Sequence, residues 1–418
     1  MFSLREYHGI GDSFSVVLNP PASQAGDWQI EKFTTLDGLH SIAGEWRALE
    51  SRTCDPLTYF QGYDWCVKWC EQFADRTQRK NSHISGIAVF AVRKKGQLEA
   101  VFPFAIYRKW NLVNVARLIG APFSEYANLL LQRSQFSDDD LKALWQAITS
   151  RMDADVIALD DFPRSSPFST MIGSARTIPS AAQYSSLIEL SEFSGWEDYQ
   201  SSWCKSARRN RKKRFNKLAN AGALDFRVID GASGGFCALF EKAQALKVAW
   251  LREAALNDSK LSCKRFRNFV CSLSGSATQR DGCVAAALYL DSKPIAIEIG
   301  FCRNGHYYSY LGAFDPDYSN LSPGKALICE VLKWAFENGI SSYDLLGNPT
   351  QYKQDWSNRT IDLASYRVGL NLLGAFYCLG TEARLRMVLK NLQEKLPAGL
   401  RPFLVRPVAQ PAQGAPNA

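Results

Sequence analysis

The chain has 418 residues, of which 46% are hydrophobic, 22% charged and 12% aromatic, with a formal net charge of +8. That length accommodates two or three domains, and that composition speaks against a disordered chain. The positive balance favours anionic partners such as coenzyme A, nucleic acid or acidic lipid without choosing among them.

Eleven cysteines at irregular spacing form no Cys-x-x-Cys pair, and only four histidines accompany them, so no zinc site is expected. Cys66 and Cys70 stand beside Trp65 and Trp69, as on a buried helix face. Scattered free thiols fit a reducing compartment. The first residues, MFSLREYHGI, lack the pattern of a secretory signal. No run reaches the roughly 18 apolar residues of a membrane span. A cytoplasmic protein without a transmembrane segment is therefore expected.

Residues 1–30 show little periodicity and read as an N-terminal arm. Helical spacing follows at 36–50 and 62–74, then strand-like runs at 84–92 and 98–107 joined by a turn at 93–96. A strand near 126–131, a helix at 138–151 and a strand at 155–160 complete a first domain, 31–165. Residues 166–185, within a Ser-, Pro- and Ala-rich stretch, read as a linker.

The plan then repeats. Helices at 196–220 and 236–256 open a second domain, 186–370. A hairpin of 283–290 and 294–302, a strand at 305–313, a helix at 323–338 and a strand at 340–346 follow. The period is far longer than the roughly 20–50 residues of a solenoid, so it indicates duplicated domains. A C-terminal helix is expected over 371–396 and a loose Pro- and Ala-rich tail over 397–418.

Four groups of residues can carry chemistry. Ser322, Pro323, Gly324, Lys325 and Ala326 open a helix directly after a strand. Ser322 suits an N-cap and Pro323 the first helical position. The start of such a helix attracts a diphosphate; plain capping is the alternative. His306, Tyr308 and Tyr310 share one strand face, fit either for a substrate channel, with a hydroxyl protonating a leaving thiolate, or for ordinary packing.

Asp344 interrupts an apolar strand and suits either a general base or an anchor for Lys353 or an arginine. Lys353, close in sequence to Tyr352 and Trp356, carries a charge suited to stabilising the oxyanion of a tetrahedral intermediate. Last, Lys205, Arg208, Arg209, Arg211, Lys212, Lys213, Arg214 and Lys217 form a basic helix, with Trp203, Ala207, Phe215 and Leu218 for its buried side. It is either a solvated face or a site for coenzyme A phosphates, an anionic acceptor or RNA. No G-x-S-x-G, P-loop lysine or H-E-x-x-H pattern occurs in the sequence.

In order along the chain, Glu45-Trp46-x-x-Leu49, Trp65, Trp69, Phe102-Pro103-Phe104, Leu118-Ile119-Gly120 and Tyr126 are followed by Trp196-x-x-Tyr199 and Lys205-x-x-Arg208-x-x-x-Lys212. Tyr308, Phe314-Asp315-Pro316, Ser322-Pro323-Gly324, Tyr343-Asp344-Leu345-x-Gly347 and Tyr352-Lys353-x-x-Trp356 complete the set. This series resembles the CelD/BcsL-type acetyltransferases, a GNAT branch associated with cellulose and exopolysaccharide biosynthesis, and more distantly the FemAB-type peptidyltransferases.

The resemblance implies an α/β fold of tandem GNAT modules, each a mixed central sheet flanked by helices. It implies acetyl-CoA or another acyl-CoA as donor, with its pyrophosphate on residues 322–326, and no metal. It puts Lys353 by the reacting carbonyl and the Arg208 segment near the acceptor. Arg208, Arg209, Lys212, His306, Tyr352 and Trp356 would then contact substrate, and Asp344, Lys353, Tyr308 and Tyr310 would serve catalysis. Here only Ser-Pro-Gly stands where many GNAT enzymes carry a longer pyrophosphate loop.

The function expected is acyl transfer to an amine or hydroxyl of a sugar, polysaccharide precursor or small molecule. Aminoacyl transfer from tRNA, and a non-catalytic partner of polysaccharide-synthesis machinery, are the alternatives.

Overall fold

The computed structural model describes residues 15–18, 28–74, 83–169, 171–172, 176–178, 184–254, 259–276, 281–347 and 350–378. Strands β1 (Ser15–Leu18), β2 (Trp28–Phe33), β3 (Ile84–Lys94), β4 (Gln97–Lys109), β5 (Val113–Leu118), β6 (Leu130–Leu131) and β7 (Val156–Pro163) lie in the first half. Next come β8 (Arg176–Ile178), β9 (Tyr184–Glu189), β10 (Leu224–Asp230), β11 (Gly282–Leu290) and β12 (Lys293–Arg303). The last three are β13 (His306–Phe314), β14 (Ser342–Asp344) and β15 (Arg359–Gly369).

The two halves follow one plan. Strands β2 to β5 are antiparallel neighbours in chain order, and β7 returns parallel to β5 after the helix Asp138–Thr149. Strands β10 to β13 repeat this, and β14 returns parallel to β13 after the helix Pro323–Glu337. The fold is the tandem GNAT arrangement.

Local chemistry sets the joints. Asp291 and Ser292, at φ 48° and 68°, make the left-handed two-residue turn that suits the twist of the β11–β12 hairpin. Ser137 and Asp140 cap the helix Asp138–Thr149 reciprocally, each side chain accepting from the other's backbone N–H.

Strand β15 joins the halves. Its first residues pair with β9, Arg359 opposite Leu187 through Asp362 opposite Tyr184, and its later ones with β7, Leu363 opposite Pro163 through Gly369 opposite Val156. The two sheets thereby become one continuous ladder of strands.

Several expectations change. Part of the 1–30 arm is β1 and the start of β2, and the 166–185 linker holds β8 and the start of β9. The 126–131 strand shrinks to β6. Strands β5, β10 and β15 and the helix Lys264–Ser272 were not legible. The described part of the C-terminal helix is Leu372–Phe376; its remainder and the 397–418 tail lie outside the described residues.

Each sheet packs one face on its own helix, with Leu141, Leu144 and Ile148 in the first half and Leu327, Val331 and Leu332 in the second. The opposite faces meet each other in one shared core. Cys66 and Cys70 are buried there. Trp65 lies edge-on to Phe269 and Phe301, with centroids at 4.8 and 5.5 Å, and Phe123 stacks on Phe266 at 4.6 Å. Because neither half closes its core alone, Trp65→Ala is expected to cost about 3–5 kcal/mol. Chemical denaturation should show one transition reported alike by probes in both halves, and two separated transitions would contradict a shared core.

Candidate active site

Strand β14 is short because of its last residue. Asp344 is fully buried, an arrangement that is costly unless the carboxylate finds donors. Oδ1 accepts the Leu346 N–H at 2.7 Å and the Ser185 hydroxyl at 3.1 Å, and Oδ2 accepts the Tyr126 hydroxyl at 2.6 Å. His306 Nε2 stands at 3.5 Å, long for a hydrogen bond. Accepting from the residue two places on makes the Asp344 side chain a turn former. The chain bends away at Leu346, whose φ is 59°.

Pairing of β13 with β14 therefore covers only His306, Tyr307 and Tyr308, opposite Ser342, Tyr343 and Asp344. Beyond that point β14 has ended, and among the described residues no strand pairs with residues 309–314 of β13 on this side, which leaves an opening. Gly312 is exposed, with open space where a side chain would stand. The helix Pro323–Glu337 begins at the far end of this opening, where Gly324 stands beside Phe314.

Lys353 holds the diverted chain. Its half-buried ammonium donates to the carbonyls of Leu346 at 3.2 Å and Gly347 at 2.6 Å. An ammonium has three donors, so one remains for a third acceptor. Burial lowers its pKa, while Glu125 and Asp344 oppose that shift.

Glu125, half-buried, comes from the first half. Burial pushes its carboxyl up to about 7, against the pull of Lys353 and with Asp161 and Asp344 adding to the rise. Its loop is fixed at three points. Tyr126 reaches Asp344, the Phe123 carbonyl accepts from Tyr310 at 2.9 Å, and Trp65 Nε1 donates to Ser124 Oγ at 3.0 Å. Gly120 permits this last approach: at φ 95°, a Cβ there would lie 2.2 Å from Ser124 Oγ. Lys260 and Lys247 add positive charge near Glu125 and Lys353 respectively.

The helix start departs from expectation. Ser322 is left-handed, at φ 56°, and its side chain makes no capping bond. Its carbonyl accepts from Lys325 at 3.2 Å and Ala326 at 3.4 Å, which leaves the Gly324 amide at the open end. Pro323 and Ala326 are buried, and the Lys325 side chain is exposed. Nearby, Lys217 Nζ donates to the Asn320 carbonyl at 2.8 Å, so the basic helix Lys205–Ala219 ends beside this corner.

The tyrosine strand does not line a channel. Tyr308 is fully buried and donates to the Pro56 carbonyl, with Tyr59 packed on its ring at 4.8 Å. Tyr310 donates to Phe123, as described above, and His306 is 5% exposed. The first half covers this face.

Trp356, also 5% exposed, stands at 87° to Trp203, with ring centroids 5.6 Å apart. Arg211 sits in the corner they make, its guanidinium 3.6 Å from the Trp356 centroid and 3.7 Å from that of Trp203. Burial leaves Tyr308, His306 and Trp356 no surface to offer a substrate. Arg208, Arg209 and Lys212 are exposed, as is Tyr352 at 41%. Phe215, expected on the buried side, is also exposed. Glu298, another buried carboxylate, accepts from Tyr343 at 2.6 Å and Tyr307 at 3.0 Å, and burial raises its pKa. Among the described residues no cluster of His, Cys, Asp and Glu is arranged to hold a metal ion, and no helix is long and apolar enough to cross a membrane.

Residues 205–354, from the basic helix through Lys353, match the family model described as acetyltransferase (GNAT) domain. Among solved structures, FemX is matched at 11% identity over 81% of this chain and 98% of its own, with a TM-score of 0.58. The C-terminal domain of a putative lysylphosphatidylglycerol synthetase from Agrobacterium fabrum is 14% identical over 82% of this chain and 95% of its own, at 0.49. A tandem GNAT protein from the clavulanic acid biosynthesis pathway is 9% identical over 82% and 99%, at 0.45. No curated protein is matched. The FemX likeness is one of fold.

Two outcomes are expected here. Tyr126→Phe removes one donor from the buried Asp344 carboxylate and should cost about 1–3 kcal/mol in urea denaturation at neutral pH. Glu125 binds its proton more tightly folded than unfolded, so its contribution to stability is complete below its ordinary 4.5 and is lost as pH rises through about 7. Glu125→Gln should flatten that decline in stability measured against pH; an unchanged profile would assign the decline to other groups.

Proposed function

We propose that this chain is an acyltransferase whose reaction occurs where β13 and β14 part, with an acyl-CoA as donor. The observation that carries this reading is the opening itself. Among the described residues β13 has no partner strand on its β14 side at 309–314, and the helix start at Gly324 stands beside Phe314 at its end. The oppositely charged Glu125 and Lys353, which act on each other electrostatically, come from the loop before β6 and the helical turn after β14. The β13 edge, exposed at Gly312 and Phe314, offers backbone groups to the amides of a pantetheine arm. The Gly324 corner, with Lys325 and the end of the basic helix, offers positive charge to the diphosphate. The fit is partial, because Lys325 and Ala326 N–H groups turn inward to Ser322.

In this reading an acceptor amine or hydroxyl attacks the thioester carbonyl while Glu125 takes its proton. The carbonyl π electrons move onto oxygen, and the Lys353 ammonium stabilises that charge. Collapse restores the carbonyl and breaks the carbon–sulfur bond, and the thiolate leaves to take up a proton. Asp344 positions rather than reacts, since its oxygens are committed to Tyr126, Ser185 and Leu346. Tyr352, exposed next to Lys353, together with Arg208, Arg209 and Lys212, faces the acceptor side. The CelD/BcsL resemblance supports a sugar or polysaccharide precursor as acceptor, in association with polysaccharide-synthesis machinery.

The exposed basic helix favours a second reading, in which the donor is an aminoacyl-tRNA. Its contacts would run to phosphates and weaken steeply with salt.

Isothermal titration with acetyl-CoA and longer acyl-CoAs separates these readings when paired with a tRNA gel shift at low salt. Acyl-CoA binding without tRNA binding is expected, and the converse would replace the donor. With a competent acceptor, Lys353→Met should lower kcat by about 10²–10³-fold. The wild-type rate should rise with pH through about 7 as Glu125 ionises, and Glu125→Gln should be slow and lack that rise. Full activity in both variants would remove the pair from catalysis.

A further inference from the structure

The first half carries a patch of large apolar side chains that the fold leaves in solvent. At the tip of the β4–β5 hairpin Trp110 is 59% and Leu112 63% exposed. Beside them the helix Leu372–Phe376 presents Leu372, Leu373 and Phe376 at 82%, 37% and 70%. Trp110 and Tyr377 bring the two segments into contact, with ring centroids 5.8 Å apart.

Both segments are held firmly. Trp110 and Asn111, at φ 51° and 54°, form a left-handed turn, a conformation that a bulky side chain rarely adopts. Asp155 fastens the base. Its carboxylate accepts from the Asn114 N–H and the Asn371 amide, each at 2.7 Å, and its carbonyl accepts the Leu370 N–H at 2.8 Å. Gly374 lies so close that a Cβ would fall 1.8 Å from the Asp155 oxygen. A contiguous exposed apolar surface on a rigid base marks an interaction site.

We propose that this patch docks the protein onto an anionic phospholipid surface. Tryptophan, phenylalanine and leucine beside cations are the composition of an interfacial anchor. Arg108 and Lys109 are exposed next to Trp110. The sequence that continues from the patch, 379–418, holds six cations, Arg384, Arg386, Lys390, Lys395, Arg401 and Arg406, against the two carboxylates of Glu382 and Glu394. Arg108 and Lys109, together with the positive balance of the sequence after Cys378, complement a negative headgroup layer. The apolar side chains enter the headgroup boundary while Arg108 and Lys109 stay at its surface. This inference stands apart from the choice of acyl donor.

The test is flotation of the full chain with vesicles of phosphatidylcholine alone and of phosphatidylcholine mixed with phosphatidylglycerol. Association with the mixed vesicles is expected, weakened by salt, and reduced by about tenfold or more in Trp110→Ser and in Leu372→Ser/Phe376→Ser. Both changes are at exposed positions, and circular dichroism checks that the fold persists. Three outcomes overturn the proposal: no flotation with anionic vesicles at low salt, flotation that the variants do not alter, or self-association in sedimentation equilibrium that Phe376→Ser abolishes while vesicle binding is absent. The last would assign the patch to a second copy of the chain.

Discussion

A single buried carboxylate shapes the centre of this molecule. Asp344 is fully buried, so the cost of burying its polar oxygens is offset only while a tyrosine hydroxyl, a serine hydroxyl and a backbone N–H converge on them. Those donors come from the first half, from β9 and from the turn that follows β14. One requirement therefore brings three parts of the chain together. The same turn sends the backbone away from β13 and creates the opening in which the chemistry is proposed. Stability and site share a cause.

The duplicated architecture has more than a supporting role. The second half supplies the parted strands, the helix start and Lys353, while the first half supplies Glu125 on a loop pinned by Tyr126, Phe123 and Ser124. Neither half alone holds both members of the pair. Their opposite charges also explain why each tolerates partial burial: the lysine restrains the rise of the carboxyl, and the carboxylate restrains the fall of the amine. A carboxyl near 7 takes a proton readily and releases it readily in neutral solution.

Much of this was legible in the sequence, and the limits have physical reasons. The hairpins 84–107 and 283–302 stood out because their strands are long, apolar and closed by tight turns. The helix at 323 stood out through its Pro start directly after a strand. Strand β15 was missed because it divides its length between two partner strands and shows no clean alternation of burial. Asp344 stands out in the sequence, but the anchoring role expected of it is toward Lys353 or an arginine. Its partners are instead the Leu346 N–H and the hydroxyls of Tyr126 and Ser185, two residues that lie far away in the chain. Glu125 gave no signal, being one carboxylate in a short loop whose importance depends on folding against Lys353. For the tyrosines of β13 the sequence leaves a channel and ordinary packing both open, because alternation gives a face but not what covers it.

Strand β15 also governs the order in which the molecule can be completed. It follows every other described strand in the chain, so during synthesis both modules must wait for it. Until residues 359–369 emerge, β7 and β9 each present a bare row of amide and carbonyl groups, the kind of edge on which strands of neighbouring chains add. A nascent chain at that stage is vulnerable to pairing with its siblings, and closure by β15 ends the exposure in both sheets at once.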